Sequence, residues 1–127
     1  MTLEETLSNV NYNIEKIVYE LRTRISNIPE TTEIVDKNNI IYQYSGEDFC
    51  IIKVKKDFLE IDFKSDNRLE DPISFSWKIR QNKNNMFDRR LHIKNMFDID
   101  VTFGLIEQSF TSVLHKPSVK PTKNKKR

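Results

Sequence analysis

The feature that most constrains this chain is a run of apolar residues at its start. Leu3, Leu7, Val10, Ile14, Ile17, Leu21 and Ile28 follow one another at steps of 4, 3, 4, 3, 4 and 7, with Val18 and Ile25 alongside. That spacing puts them on one stripe of an α-helix and matches a heptad repeat. Thr2 and Glu5 have the spacing of a capping box, and Pro29 ends the run. A continuous helix over residues 2–28 would be roughly 40 Å long at 1.5 Å per residue. That is long for a small domain, and two readings follow. Either the whole stripe packs on the chain's own sheet, or the first turns project. In the second case Leu3, Leu7, Val10 and Ile14 would pair with a protein partner or with a second copy in a homodimer. Asn9, Asn11 and Asn13 are poor helix formers and would let the front part fray.

Strands must supply the other layer. Residues 30–38 are polar and acidic and read as a loop. Residues 40–44, 49–55 and 58–64 read as strands, with a turn at Ser45-Gly46-Glu47. The last two form a hairpin whose register can be argued. Pairing Val54 with Leu59, Ile52 with Ile61 and Cys50 with Phe63 gives every inward residue an apolar neighbour and sets Lys53 opposite Glu60. Lys56-Asp57 would make the turn, or sit inside a four-residue loop. Residues 73–80 alternate strictly, with Ile73, Phe75, Trp77 and Ile79 predicted inward. Residues 89–97 alternate too, with Leu91, Ile93 and Phe97 inward. A last helix over 100–115 carries Phe103, Ile106, Phe110 and Val113 on its stripe, capped by Asp98 or Asp100. Helix, five strands, helix predicts an α+β two-layer sandwich, with a mostly antiparallel sheet and both helices on one face. The predicted domain is residues 1–115.

Composition narrows the function by exclusion. At 127 residues the chain has the size of one domain, and 37% hydrophobic residues suffice for a core. One cysteine excludes an internal disulfide, and with two histidines it excludes a Cys/His zinc site within the chain. Two glycines leave no material for a glycine-rich phosphate cradle. No cofactor or metal is expected. Glu4, Glu5 and Asn9 interrupt the first apolar residues, so there is no signal-peptide core, and no apolar run approaches the roughly 20 residues of a membrane helix. The expectation is a soluble cytoplasmic protein without a membrane contact. Cys50 falls on the apolar side of its strand as a small core residue.

The formal charge of +2 hides an asymmetry. Residues 116–127 hold six of the 21 Lys and Arg and none of the 19 Asp and Glu, so the body carries −4 and the tail +6. The tail reads as a disordered basic arm, with Lys120, Lys123, Lys125, Lys126 and Arg127 available to a polyanion. Sorting each strand by alternation sharpens the contrast. The outward set is Lys53, Lys55, Lys64, Lys78, Arg80, Arg90, His92 and Lys94 with Glu60 and Asp62, or seven Lys and Arg against two acids in an acidic body. A basic sheet face is an electrostatic footprint for DNA or RNA, binding phosphates with little sequence readout.

Short motifs carry a resemblance. They are Leu21, Arg22, Arg24 and Ile25 on the first helix, Ile40-Ile41-Tyr42-Gln43-Tyr44, and Asp48-Phe49 opening a strand. Leu59-Glu60-Ile61-Asp62-Phe63-Lys64, Asp71-Pro72 and Leu105-Ile106-Glu107-Gln108-Ser109-Phe110 follow. Over residues 20–111 the chain resembles a family of small bacterial domains of unknown function, often labelled "predicted transport protein". These recur as C-terminal appendages of nuclease-like and restriction-type proteins. The resemblance implies the α+β fold and a nuclease or defence context, and it supplies no mechanism. A Gly/His/Trp-rich turn usual in that family is replaced here by residues 81–89.

Catalytic patterns are sparse. Asp48, Asp62 and Lys64 mimic the acid, acid-x-Lys order of metal-dependent nucleases, but Lys53 and Lys64 would neutralise the acids in the proposed hairpin. His92 has no acid beside it in sequence to make it a general base, and His115 suits a helix C-terminus. The expected function is therefore a non-enzymatic nucleic-acid-binding accessory domain. The alternative is a protein-interaction module, an inhibitor or subunit, using the heptad-patterned first helix.

Overall fold

A computed structural model describes residues 2–115. Three helices and six strands follow in the order α1 (Leu3–Leu7), α2 (Tyr12–Ser26), β1 (Thr31–Asp36), β2 (Asn39–Tyr44), β3 (Glu47–Val54), β4 (Leu59–Phe63), β5 (Ser76–Lys78), β6 (Arg89–Ile93) and α3 (Ile99–Leu114). All pairings are antiparallel, and the strands lie in the order β1-β2-β3-β4-β6-β5. The helices pack on one face of this sheet, which makes the expected α+β two-layer sandwich. The basic tail expected to be disordered, including Lys120, Lys123, Lys125, Lys126 and Arg127, lies outside the described residues.

The long first helix is in fact two helices. The Thr2 hydroxyl accepts from the Glu5 N–H at 3.1 Å and the Glu5 carboxylate accepts from the Thr2 N–H at 2.7 Å, closing the predicted capping box. The chain then breaks after Leu7. Asn11 starts a new helix, its side-chain oxygen accepting from the Ile14 N–H at 3.1 Å, a cap of about 1 kcal/mol. The apolar spacing runs through the break because both helices turn their stripes to the same core. Leu3, Leu7 and Ile14 are buried there and Val10 packs against its border. Leu3, Leu7 and Ile14 are thus core and Val10 lies at its edge, and the first turns do not project from the domain. One turn of helix is too short to persist alone, so burial of Leu3 and Leu7 holds α1 in place.

The hairpin register is as expected: Val54 faces Leu59, Ile52 faces Ile61, Cys50 faces Phe63, and Lys53 faces Glu60. Ser45 and Gly46, with φ of 54° and 80°, make the tight β2–β3 turn in the backbone region that glycine reaches without strain. Residues 30–38, expected as a loop, instead contain the edge strand β1. Its residues are mostly exposed because the strand has a neighbour on one side only, and its Glu33 binds Arg22 and Tyr42 rather than solvent alone. Six strands thus stand where five were expected.

Two alternation readings fail. Phe97, expected inward, is 93% exposed because β6 stops at Ile93. The segment 73–80 pairs only over Ser76–Lys78, and there its faces are reversed: Ser76 is buried and Trp77 exposed, while before the strand Ile73 is exposed and Phe75 packs against the core as expected. Ser74 has φ of 53°, which flips the chain before the strand begins. Asp71 then accepts from the Phe75 and Ser76 N–H groups and from the Ser76 hydroxyl, at 2.9, 2.8 and 2.7 Å. Arg89 donates to the Ser76 carbonyl and hydroxyl, both at 2.9 Å. This polar clamp outweighs the burial of Trp77 and sets the register.

Candidate nucleic-acid interface

The uncovered face of the sheet is where the outward cations were expected. One ladder row crosses it: Ile34, Ile41, Ile51, Asp62, Arg90 and Trp77. The next row is Asp36, Asn39, Lys53, Glu60 and His92. The face is therefore apolar under β1–β3, ionic in the middle and aromatic towards β5.

The ionic middle is closed on itself. The Asp62 side chain is 1% exposed, although it lies on the open face, because longer side chains cover it. Lys53 Nζ reaches it at 2.9 Å, and Arg90 donates through Nε and Nη2 at 2.7 and 3.0 Å. Glu60 takes the same two cations at 3.5 Å each and His92 Nε2 at 3.1 Å. Burial pushes the Asp62 carboxyl up, but the hydrogen bonds from Arg90 and Lys53 outweigh it and leave its pKa below the usual carboxylate value. Lys64, at the other end of β4, pairs with Glu47 at 2.9 Å. Lys53, Lys64 and Arg90 are thus neutralised by partners on neighbouring strands. They do not form the free basic face that alternation suggested.

Lys78 and Arg80 also leave the face. The reversed β5 puts Lys78 on the side of Ser76, and Arg80 follows in the loop. Both are exposed, at the end of the sheet where β6 begins. Their neighbour Trp77 takes the place on the open face instead.

Lys55 and Lys94 remain, and two lysines missed by alternation join them. Lys55 and Lys56 are in the β3–β4 turn, where the Lys55 N–H donates to the Phe58 carbonyl at 3.0 Å. Lys94 follows β6, whose Ile93 faces Leu59, and Lys37 is in the β1–β2 turn. All four therefore gather at one end of the sheet. Their ammonium groups make no ion pair among the described residues. A groove of about 640 Å³ opens there between the α1–α2 break and the two turns. Lys37, Lys55 and Lys56 line it with Asn9, Asn38 and Val10, and no carboxylate does so among the described residues. Lys37 and Lys56 sit at turns, where strand alternation says nothing about direction, so no sequence signal marked them.

The nuclease-like set is not assembled. Asp62 is saturated by two cations, Lys64 is held by Glu47, and Asp48 accepts a hydrogen bond from Gln43. No group of three or more His, Cys, Asp or Glu that could hold a metal occurs among the described residues. Cys50 is fully buried, and burial pushes its thiol up, away from the reactive thiolate. Among the described residues no helix is long and apolar enough to cross a membrane.

A family model described as a domain of unknown function, DUF5655, matches residues 3–113. No curated protein and no solved structure matches the chain.

Proposed function

The chain belongs to the DUF5655 family of unknown function, and from that premise we propose that it is a non-enzymatic nucleic-acid-binding accessory domain whose phosphate contacts come from one end of the sheet. The observation that carries this reading is the gathering at one end of the sheet of Lys37, Lys55 and Lys56, which line a groove, and Lys94, which follows β6 at the same end; among the described residues none of the four makes an ion pair and no carboxylate lines the groove. Four lysines stand here against two exposed acids, Asp36 and Asp57, in a body that is otherwise acidic, so this end is a local positive field rather than a property of the composition. Free lysines on turns meet phosphates as point charges and give salt-dependent binding with little sequence readout. The basic tail adds contacts as an arm. The resemblance to appendages of nuclease-like and restriction-type proteins fits a DNA-processing or defence setting inside a cell.

Fluorescence anisotropy with labelled oligonucleotides at low and physiological salt tests this. The full chain should bind with a steep salt dependence, and a chain ending at His115 should keep part of it. Reversing Lys55, Lys56 and Lys94 to Glu should weaken binding at least tenfold and lower the salt slope by about 2. Reversing Lys78 and Arg80 should change it less. Binding that is absent, or indifferent to the three lysines, defeats the proposal.

A second reading keeps the protein-interaction alternative but moves it. The edge strand β1 exposes Ile34 and Val35, 40% and 37% exposed, beside unpaired backbone groups. A partner strand added there would give a mass that depends on concentration and on these two residues, and not on Leu3 or Leu7.

A further inference from the structure

We infer that Trp77, with His92 and Phe58, is a stacking platform for unpaired bases, so that the nucleic acid this domain takes is single-stranded; this rests on the binding reading above. Trp77 is the chain's one tryptophan and is 43% exposed. It stands on the open face because the Asp71–Ser76–Arg89 clamp fixes the reversed register of β5, so its exposure follows from the fold and not from a loose end. The ring is braced. His92 meets it edge-on, with centroids 5.0 Å apart and planes at 81°, and the Phe58 ring lies against His92 in turn, with centroids 4.6 Å apart. A braced, half-exposed indole loses little freedom when a flat partner covers it.

The surroundings select the partner. Going along β6, Arg90 faces Trp77 across the ladder, His92 comes two residues later, and Lys94 two after that. At about 3.3 Å per residue, roughly 13 Å of strand runs from Arg90, the cross-strand neighbour of Trp77, to Lys94. Lys55 and Lys56 lie at the same end as Lys94, next to Phe58. Aromatic rings therefore lead directly into free cations. Of the nearby carboxylates, Glu60 and Asp62 are held by Lys53, Arg90 and His92, and the exposed Asp57 beside Phe58 is outnumbered by Lys55, Lys56 and Lys94. An apolar peptide would have no use for the lysines, and a duplex has no exposed base face to give the indole. A single strand uses both, with phosphates on the lysines and a base on the ring, as aromatic-bearing sheet surfaces bind unpaired strands.

The test uses the full chain, an oligothymidylate and a duplex of equal length at low salt, with two readouts. Because Trp77 is the sole indole, its emission reports contact directly. The single strand should quench it and bind more tightly than the duplex. Trp77→Ala should weaken single-strand binding about tenfold and leave the duplex unchanged, while Trp77→Phe keeps most of the affinity. A melting curve for each variant confirms that it folds, and His92→Ala serves as a second probe of the platform. Single-strand binding that leaves the emission and both variants untouched, yet vanishes with Lys55, Lys56 and Lys94 reversed, overturns the platform and keeps the lysine site. Binding of neither oligonucleotide overturns both.

Discussion

Two neighbouring rows of the same sheet, one residue apart, show how differently its faces are made. On the covered face Ile40, Ile52, Ile61 and Leu91 stand side by side across four strands, each fully buried under the helices. On the open face the row is Ile41, Ile51, Asp62 and Arg90, and what each can do depends on its cross-strand neighbour. Burial of an isoleucine is favourable wherever the helices lie, at about 1.5–3 kcal/mol per side chain. A lysine on a strand is different. Lys53 and Lys55 are two positions apart, yet Lys53, inside β3, is tied to Asp62 and Glu60, while Lys55, just past the end of β3, makes no ion pair among the described residues. On the covered face residue type decides the role, and on the open face pairing decides it.

The sharpest way to break this contrast is to remove the part of the covered face that the heptad spacing also allowed to be a partner helix. Deleting residues 2–10 strips Leu3 and Leu7 from the core, where they are 4% and 2% exposed. The expected loss is about 3–6 kcal/mol, and a fall in melting temperature of roughly 10 °C or more. A truncated chain that melts like the full one, and only loses a dimer, would restore the partner-helix reading.

That expectation also shows what was legible in the sequence. The apolar spacing from Leu3 to Ile25 located both helices, and the hairpin around Lys56-Asp57 was readable residue by residue, because both signals are local and periodic. The break at Asn11 was hidden because two helices facing one core keep the spacing of one. Strand β1 was hidden because an edge strand of polar residues has no inward face to alternate. The reversal at Trp77 came from Asp71, five residues before Ser76, capturing its backbone and hydroxyl. The paired middle of the open face was half legible, since the Lys53–Glu60 pairing followed from the register. The third strand that brings Arg90 to Asp62 lies 28 residues away in sequence. The lysine end was assembled by three separate segments meeting at turns, and no local pattern encodes that.

The middle of the open face should fail next. Asp62→Asn keeps the shape but leaves Lys53 and Arg90 without their buried charge, at a cost of about 3 kcal/mol. Oligonucleotide affinity should hold where the protein stays folded, because the free lysines are elsewhere. Acid should act on the same carboxyl. Its folded pKa lies below the unfolded value near 4, so the stability it brings is complete above that pH and fades as pH falls through the lower folded value. Thermal melts between pH 7 and pH 2 should show that loss below about pH 4 in the parent chain and a shallower one in the Asn variant. Equal acid slopes would mean the network does not hold Asp62 as its contacts indicate.

The smallest effect returns to the covered face, where two hydroxyls of α3 are buried with opposite fortunes. Ser109 Oγ donates to the Phe49 carbonyl at 2.6 Å and accepts from the Lys64 N–H at 3.0 Å, bonding the helix to two strands. Thr102 Oγ1 is equally buried and has no hydrogen-bond partner among the described residues. Valine has nearly the shape of threonine and a similar helix propensity, so Thr102→Val removes an unpaid desolvation and little else. It should raise stability by about 1 kcal/mol, whereas Ser109→Ala should lower it by about 1 kcal/mol, because the Phe49 carbonyl and the Lys64 N–H lose the hydroxyl and keep only their 3.1 Å bond to each other. Urea melts resolve both signs, since each shifts the midpoint without changing the slope. A destabilised Thr102→Val would mean that this hydroxyl, too, is bonded, and that the covered face also depends on specific polar contacts.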